Sequence, residues 1–295
     1  MHTLDLIHQP LQPSTAARAA TRLRSGELLQ VELFDAAGAG ALLDEITELQ
    51  AAHLDRHVDS YSQLLVGSGG ALFNWGTAEG EGAVPVVVEN RPLLGTFLAA
   101  ATTLAEATRQ GNEEILLSVV PSVRKDRTFP RFFHRDSHSS VDEIDRDRDV
   151  PSSYRTVWDL GLERSAEVLN VHFVRRAALL DEAGRVAGEY RHLFQQQNLD
   201  FRQMSDSEID AVQPQMREGL LPFADDIPLL RPGRAFVWTD DAYFHTTYLR
   251  ADRRIEELIE QPRSILIVRQ FAANAHHDIP WSEPVARLLP SVLAS

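Results

Sequence analysis

The chain has 295 residues, 43% of them hydrophobic, which is enough to bury a proper core, and it carries a formal net charge of −14. That acidic balance argues against general nucleic-acid binding, which needs a basic face. Cysteine is absent, so disulfides, zinc knuckles, iron–sulfur clusters and cysteine nucleophiles are excluded, and any metal must be held by nitrogen and oxygen ligands.

The first residues, "MHTLDLIHQP", lack the basic-then-apolar layout of a secretory signal. No window approaches about eighteen uninterrupted apolar residues. A cytoplasmic protein with no membrane partner is the expectation. "STAARAATRLRSG" reads as a short helix stopped at Gly26, and "LLQVELF" as a strand. "AGALLDEITELQAAHLDRH" sets Leu42, Ile46, Leu49 and His53 at helical spacing. "RPLLGTFLAAATTLAEATRQGN" is the clearest helix, with Pro92 near its start and Gly111 at its end. Its apolar face is Leu94, Phe97, Leu98, Ala101, Leu104 and Ala105.

After "EEILLSVVPSV", a buried-strand candidate, the pattern turns to strands separated by turns. They are "RFFHRDSH", "YRTVWDLGL", "EVLNVHFVRRAALL", "VAGEYRHLFQQ" after the turn "DEAGR", then "GRAFVWTD", "YFHTTYLR" and "RSILIVRQF". A polar helical stretch around "SDSEIDAVQPQMREGLL" interrupts them. The series fits an antiparallel sandwich or barrel in a mainly β chain with flanking helices. The charge run "VDEIDRDRDVP" reads as a solvated loop. Residues 142–149 and the insert at 200–228 are candidates for a lid by position alone.

Four histidines are followed two places later by Asp: His53/Asp55, His57/Asp59, His134/Asp136 and His276/Asp278. On a helix, residues two apart point about 200° away from each other, so the first two pairs cannot share a metal. His276/Asp278 follows the last strand and reads as tail or lid. His134 and Asp136 would face one side of a strand, with His138 continuing the line. They could equally be a hydrogen-bonded pair beside a core Phe, and context has to choose. A third donor from a neighbouring segment would be His245, unless Asp240 or Asp241 satisfies it as a buried histidine.

The order of parts is a His-x-Asp, then roughly a hundred residues, then Pro232-Gly233, an apolar strand with Trp238 and Asp240, and His245 opening the next strand. This order resembles the iron(II)- and 2-oxoglutarate-dependent dioxygenases over residues 113 to 272. The resemblance implies a double-stranded β-helix (a jelly roll, or cupin-like barrel) at 113–272. Residues 1–112 would be a helical and mixed N-terminal layer and 273–295 a tail, within a single oxygenase domain spanning 1–295. It implies iron(II) held by His134, Asp136 and His245, a two-histidine, one-carboxylate set that leaves positions open for 2-oxoglutarate and O2.

The distal carboxylate of 2-oxoglutarate needs a cation. Arg263 is the first choice, with Arg269 and Arg254 as alternatives. Arg155, Arg131, Trp158 and His138 are candidate substrate contacts, although a strand Trp is more often core. Asp136 stands where halogenating relatives have a small residue, which disfavours halogenation. The expected reaction is hydroxylation of an aliphatic carbon in a small molecule such as an amino acid or a natural-product intermediate. The rivals are a cupin-like metalloenzyme that does not use 2-oxoglutarate, with His134-x-Asp136-x-His138 as its metal arm, and a non-catalytic ligand-binding barrel.

Overall fold

A computed structural model describes residues 2–7, 9–52, 61–77, 80–111, 114–124, 135–136, 154–163, 169–190, 219–225, 227–249 and 263–271. Among them, the strands are β1 (His2–Asp5), β2 (Leu29–Glu32), β3 (Tyr61–Gly67), β4 (Gly70–Thr77), β5 (Gly80–Pro85), β6 (Leu117–Arg124), β7 (Tyr154–Gly161), β8 (Leu169–Arg175), β9 (Arg234–Trp238), β10 (Tyr243–Leu249) and β11 (Arg263–Phe271). The helices are α1 (Pro13–Arg24), α2 (Ala36–Ala51) and α3 (Pro92–Thr108).

Helical periodicity predicts the buried faces well. Leu42, Ile46 and Leu49 of α2 are buried, as is every residue of the expected α3 face, Leu94 to Ala105. Asp35 caps α2 by accepting a hydrogen bond from the Gly38 amide at 2.7 Å. Gly26 and Gly111 take positive φ at the helix exits, as the two stop signals predict.

The sheets alternate along the second half of the chain. One nine-stranded sheet runs in the order β1-β2-β9-β7-β11-β6-β3-β4-β5, and a two-stranded sheet pairs β10 with β8. From β7 onward the chain passes to β8 in the small sheet, back to β9, across to β10, and back to β11. That to-and-fro winding between two facing sheets makes the chain mainly β with a double-stranded β-helix core. β1 and β2 pair in parallel, whereas the pairs from β2–β9 onward are antiparallel.

Strand alternation gives the large sheet two different faces. Trp158, Leu160, Ala235, Val237, Leu266 and Val268 pack toward the helices, in one core with Phe97 and Leu104. Val157, Phe236, Trp238 and Ile265 point the other way, into the space between the sheets, where they meet Val171, Phe173 and Tyr243. Gln270 ties the helix side together. Its Oε1 accepts from Thr108 at 2.8 Å and from Thr156 at 2.9 Å, while its Nε2 donates to the Ala105 carbonyl at 3.2 Å.

The first third, expected as a helical and mixed layer, supplies β1 to β5, five of the nine strands of the large sheet. β3 and β4 form an antiparallel hairpin turning at Gly67 and Gly70, and β5 extends it. Of the strand expected after "DEAGR", Val186 holds a single bridge to Leu180 and residues 188–190 are helical, while residues 191–196 lie outside the described residues. Asp136 lies in a bend and not in a strand. No helix among the described residues is long and apolar enough to cross a membrane.

Candidate metal centre

His245 owes its place to two turns. At the first, Gly233 adopts φ +80°, and a Cβ there would collide with the Phe34 carbonyl. Its own carbonyl accepts from the amides of Leu33 at 2.8 Å and Phe34 at 3.2 Å, anchoring the start of β9. β9 then delivers Trp238 to the inner face, and the tight turn Thr239–Ala242 reverses the chain into β10. His245 sits opposite Phe173 of β8, and the two rings stack with centroids 6.1 Å apart. The Trp238 ring lies 4.9 Å away on another side. His245 is therefore 7% exposed, on a rigid strand, in an aromatic socket.

Asp136 comes to the same place from a different part of the chain. Its Oδ2 is 3.7 Å from His245 Nε2. That gap is too long for a hydrogen bond. It is close to the spacing of about 3 to 3.5 Å between two donors each about 2.1 Å from one ion. Asp240 Oδ1 accepts from the Asp136 amide at 2.9 Å, and Asp241 Oδ1 accepts from Arg135 Nη1 at 2.9 Å.

The other oxygen of Asp136 is taken by Arg269, whose Nη2 and Nε donate to Oδ1 at 2.6 and 3.2 Å. Arg269 in turn lies 5.7 Å from the centroid of the Tyr154 ring, which meets Phe271 edge-on at 5.2 Å. A register shift where β7 meets the end of β11 leaves Arg155 between the pairs Tyr154–Phe271 and Thr156–Gln270. Burial raises the Tyr154 phenol above its ordinary value. Arg269 pulls it back, and the carboxylates of Asp136 and Asp240 push it up again.

Of the residues singled out in the sequence, Asp136, His245 and Arg269 converge here. His134, His138, Arg131 and Arg254 lie outside the described residues, and so do His53, His57 and His276. Arg263 opens β11 opposite Arg124, six residues from Arg269. Trp158 is corrected from substrate contact to core, since it is 2% exposed, faces the helices and meets Phe97 edge-on. Among the described residues no group of three metal-capable side chains assembles. Tyr154 and the holding role of Asp240 and Asp241 are additions that the sequence reading lacked. The "WTDD" turn directly before the "YFH" strand was the available signal.

No family model matches the chain, and no curated protein matches it. Solved structures do show likeness. A prolyl-4-hydroxylase from Pseudomonas putida is 14% identical over 87% of this chain and 98% of its own, with a TM-score of 0.40. The non-heme alpha-ketoglutarate-dependent carbocyclase SnoK from nogalamycin biosynthesis is 13% identical, covering 90% and 87%, with a TM-score of 0.44. The Kdo hydroxylase KdoO, a non-heme Fe(II) alpha-ketoglutarate-dependent dioxygenase in complex with cobalt(II), is 11% identical over 99% and 96%, with a TM-score of 0.39. At these values the likeness is one of outline, and the functional reading rests on the side chains.

Proposed function

We propose that this chain is an iron(II)- and 2-oxoglutarate-dependent oxygenase that oxidises an aliphatic C–H bond of a small molecule, by hydroxylation. The observation that carries the reading is the buried edge between Asp136 Oδ2 and His245 Nε2, 3.7 Å apart and supplied by two separate segments of a jelly-roll core. The donor set fits a divalent first-row metal. One carboxylate oxygen is held by Arg269, the other is turned toward an imidazole nitrogen, and His134 stands two residues before the carboxylate. Bound there, iron(II) would supply O2 activation coupled to oxidative decarboxylation of 2-oxoglutarate.

The chain's own groups divide the remaining work. Trp238 and Phe173 wall the imidazole off from water and fix its ring plane. Arg263, two residues before the core residue Ile265, is assigned as the cation for the distal carboxylate of 2-oxoglutarate, a choice supported by the engagement of the alternative Arg269 with Asp136. Arg155, at the shifted register beside Tyr154, is assigned to the substrate, and an anionic group on an amino acid or natural-product intermediate would suit it.

Substitution tests the assignment. His245→Ala is expected to abolish iron(II) binding and 2-oxoglutarate turnover with the far-ultraviolet circular dichroism unchanged. Full activity in that variant would overturn the assignment. Arg263→Ala is expected to weaken the apparent affinity for 2-oxoglutarate by at least about tenfold, the size of one lost charge-assisted contact. An unchanged affinity would move that role to another arginine.

A further inference from the structure

Asp136 lies in a bend, so strand alternation does not aim its carboxylate. Something else must hold it opposite His245. The tight turn Thr239–Ala242 offers two successive carboxylates to two successive residues of the facing arm. Asp240, fully buried, accepts from the Asp136 amide at 2.9 Å. Asp241, its neighbour, accepts from Arg135 at 2.9 Å, and Arg135 is 1% exposed. Three residues beyond this turn stands His245, so the element that carries one donor also grips the backbone of the other.

We infer that Asp240 and Asp241 form a positioning pair that sets the separation between Asp136 and His245 before any ion arrives. This rests on the proposed metal centre. Burying a carboxylate and a guanidinium is costly unless each is paired. A turn needed only to join β9 to β10 could be closed by neutral turn residues. With Oδ1 of Asp136 fixed by Arg269 and its amide fixed by Asp240, the residue is held at both ends, and Oδ2 faces the imidazole at 3.7 Å. Outer partners of this kind typically govern metal affinity by about 10- to 100-fold.

The test uses cobalt(II) as probe on the full chain, with affinity from titration calorimetry and geometry from the visible ligand-field spectrum. The wild type is expected to bind one cobalt(II). Asp240→Ala should weaken binding by about 10- to 100-fold and alter the spectrum, because the amide loses its acceptor. Asp240→Asn keeps an acceptor oxygen at that place and should restore wild-type affinity to within about threefold, with the wild-type spectrum. Asp241→Ala, at a half-exposed carboxylate, provides a milder variant should Asp240→Ala fold poorly, and it should weaken cobalt(II) in the same direction. Wild-type affinity and spectrum in Asp240→Ala, or in Asp241→Ala if that is the variant that folds, would overturn the inference while the metal centre stands. Failure of the wild type to bind cobalt(II) would overturn both.

Discussion

Arg269→Gln is the most informative substitution outside the donor set, because the pair it breaks should weigh more in the metal-free protein than in the metal-bound one. The guanidinium approaches Asp136 at 2.6 Å, with side-chain exposures of 22% for Arg269 and 8% for Asp136. Breaking a fully buried pair costs about 3–5 kcal/mol, and an exposed one is worth at most about 1 kcal/mol. This pair lies between, so about 2–3 kcal/mol is the expected loss without metal. With an unfolding entropy of about 2.1 cal/mol/K per residue, a chain of 295 residues shifts its midpoint by about 1.6 °C per kcal/mol, giving a drop of roughly 3 to 5 °C. A bound divalent ion gives the carboxylate a second cation, so the drop should shrink when metal is added. Thermal unfolding of wild type and variant, each in chelator and in excess cobalt(II), reads both numbers. An equal drop under the two conditions, or none in chelator, would refute the reasoning.

Three further expectations follow from the same geometry. Gly233→Ala forces a left-handed φ on a residue whose Cβ meets the Phe34 carbonyl, so it should cost more than the roughly 1–3 kcal/mol of the backbone strain alone; a urea midpoint near wild type would contradict this. Burial pushes the Tyr243 phenol up to about 12, with Arg175 opposing and Asp225 adding, while the unfolded chain ionises near 10. The unfolded state therefore loses the proton first, so this contribution to stability is complete below pH 10 and lost between pH 10 and 12. Tyr243→Phe should lose about 1 kcal/mol at neutral pH, through the missing bond to the Gly26 carbonyl, yet show a shallower alkaline decline in urea unfolding; an identical decline would count against the assignment. Phe173→Ala, which removes the ring stacked on His245 and packed against Trp238, should cost about 3–5 kcal/mol by equilibrium unfolding, and a loss below about 1 kcal/mol would show that the socket is not a packed core.

What could be read from the sequence followed periodicity. The faces of α2 and α3, the strands β6 to β11 and the turn at Gly233 all announced themselves, because each satisfies one strong local rule. The hairpin β3–β4 did not, although "GSGG" stands at its turn, because its strands carry Ser, Gln, Asn and Gly in place of clean alternation. His245 was legible as a candidate donor from the order of segments, and it lies 3.7 Å from Asp136 Oδ2. The orientation of Asp136 was not, since it depends on Asp240 and Arg269, which are 104 and 133 residues away in sequence. Arg269 and Arg263 have the same parity on one strand, so parity alone does not announce that Arg269 meets Asp136.

The account stands or falls on whether this edge holds an iron that chelates a keto acid. The direct measurement is an anaerobic titration of the iron(II)-loaded protein with 2-oxoglutarate, followed by visible absorption for the weak metal-to-ligand charge-transfer band. The account predicts a band that saturates near one equivalent of 2-oxoglutarate in the wild type and is absent from His245→Ala. Stoichiometric iron binding with no band would contradict the 2-oxoglutarate reading, and no iron binding by the folded protein would contradict the metal centre itself.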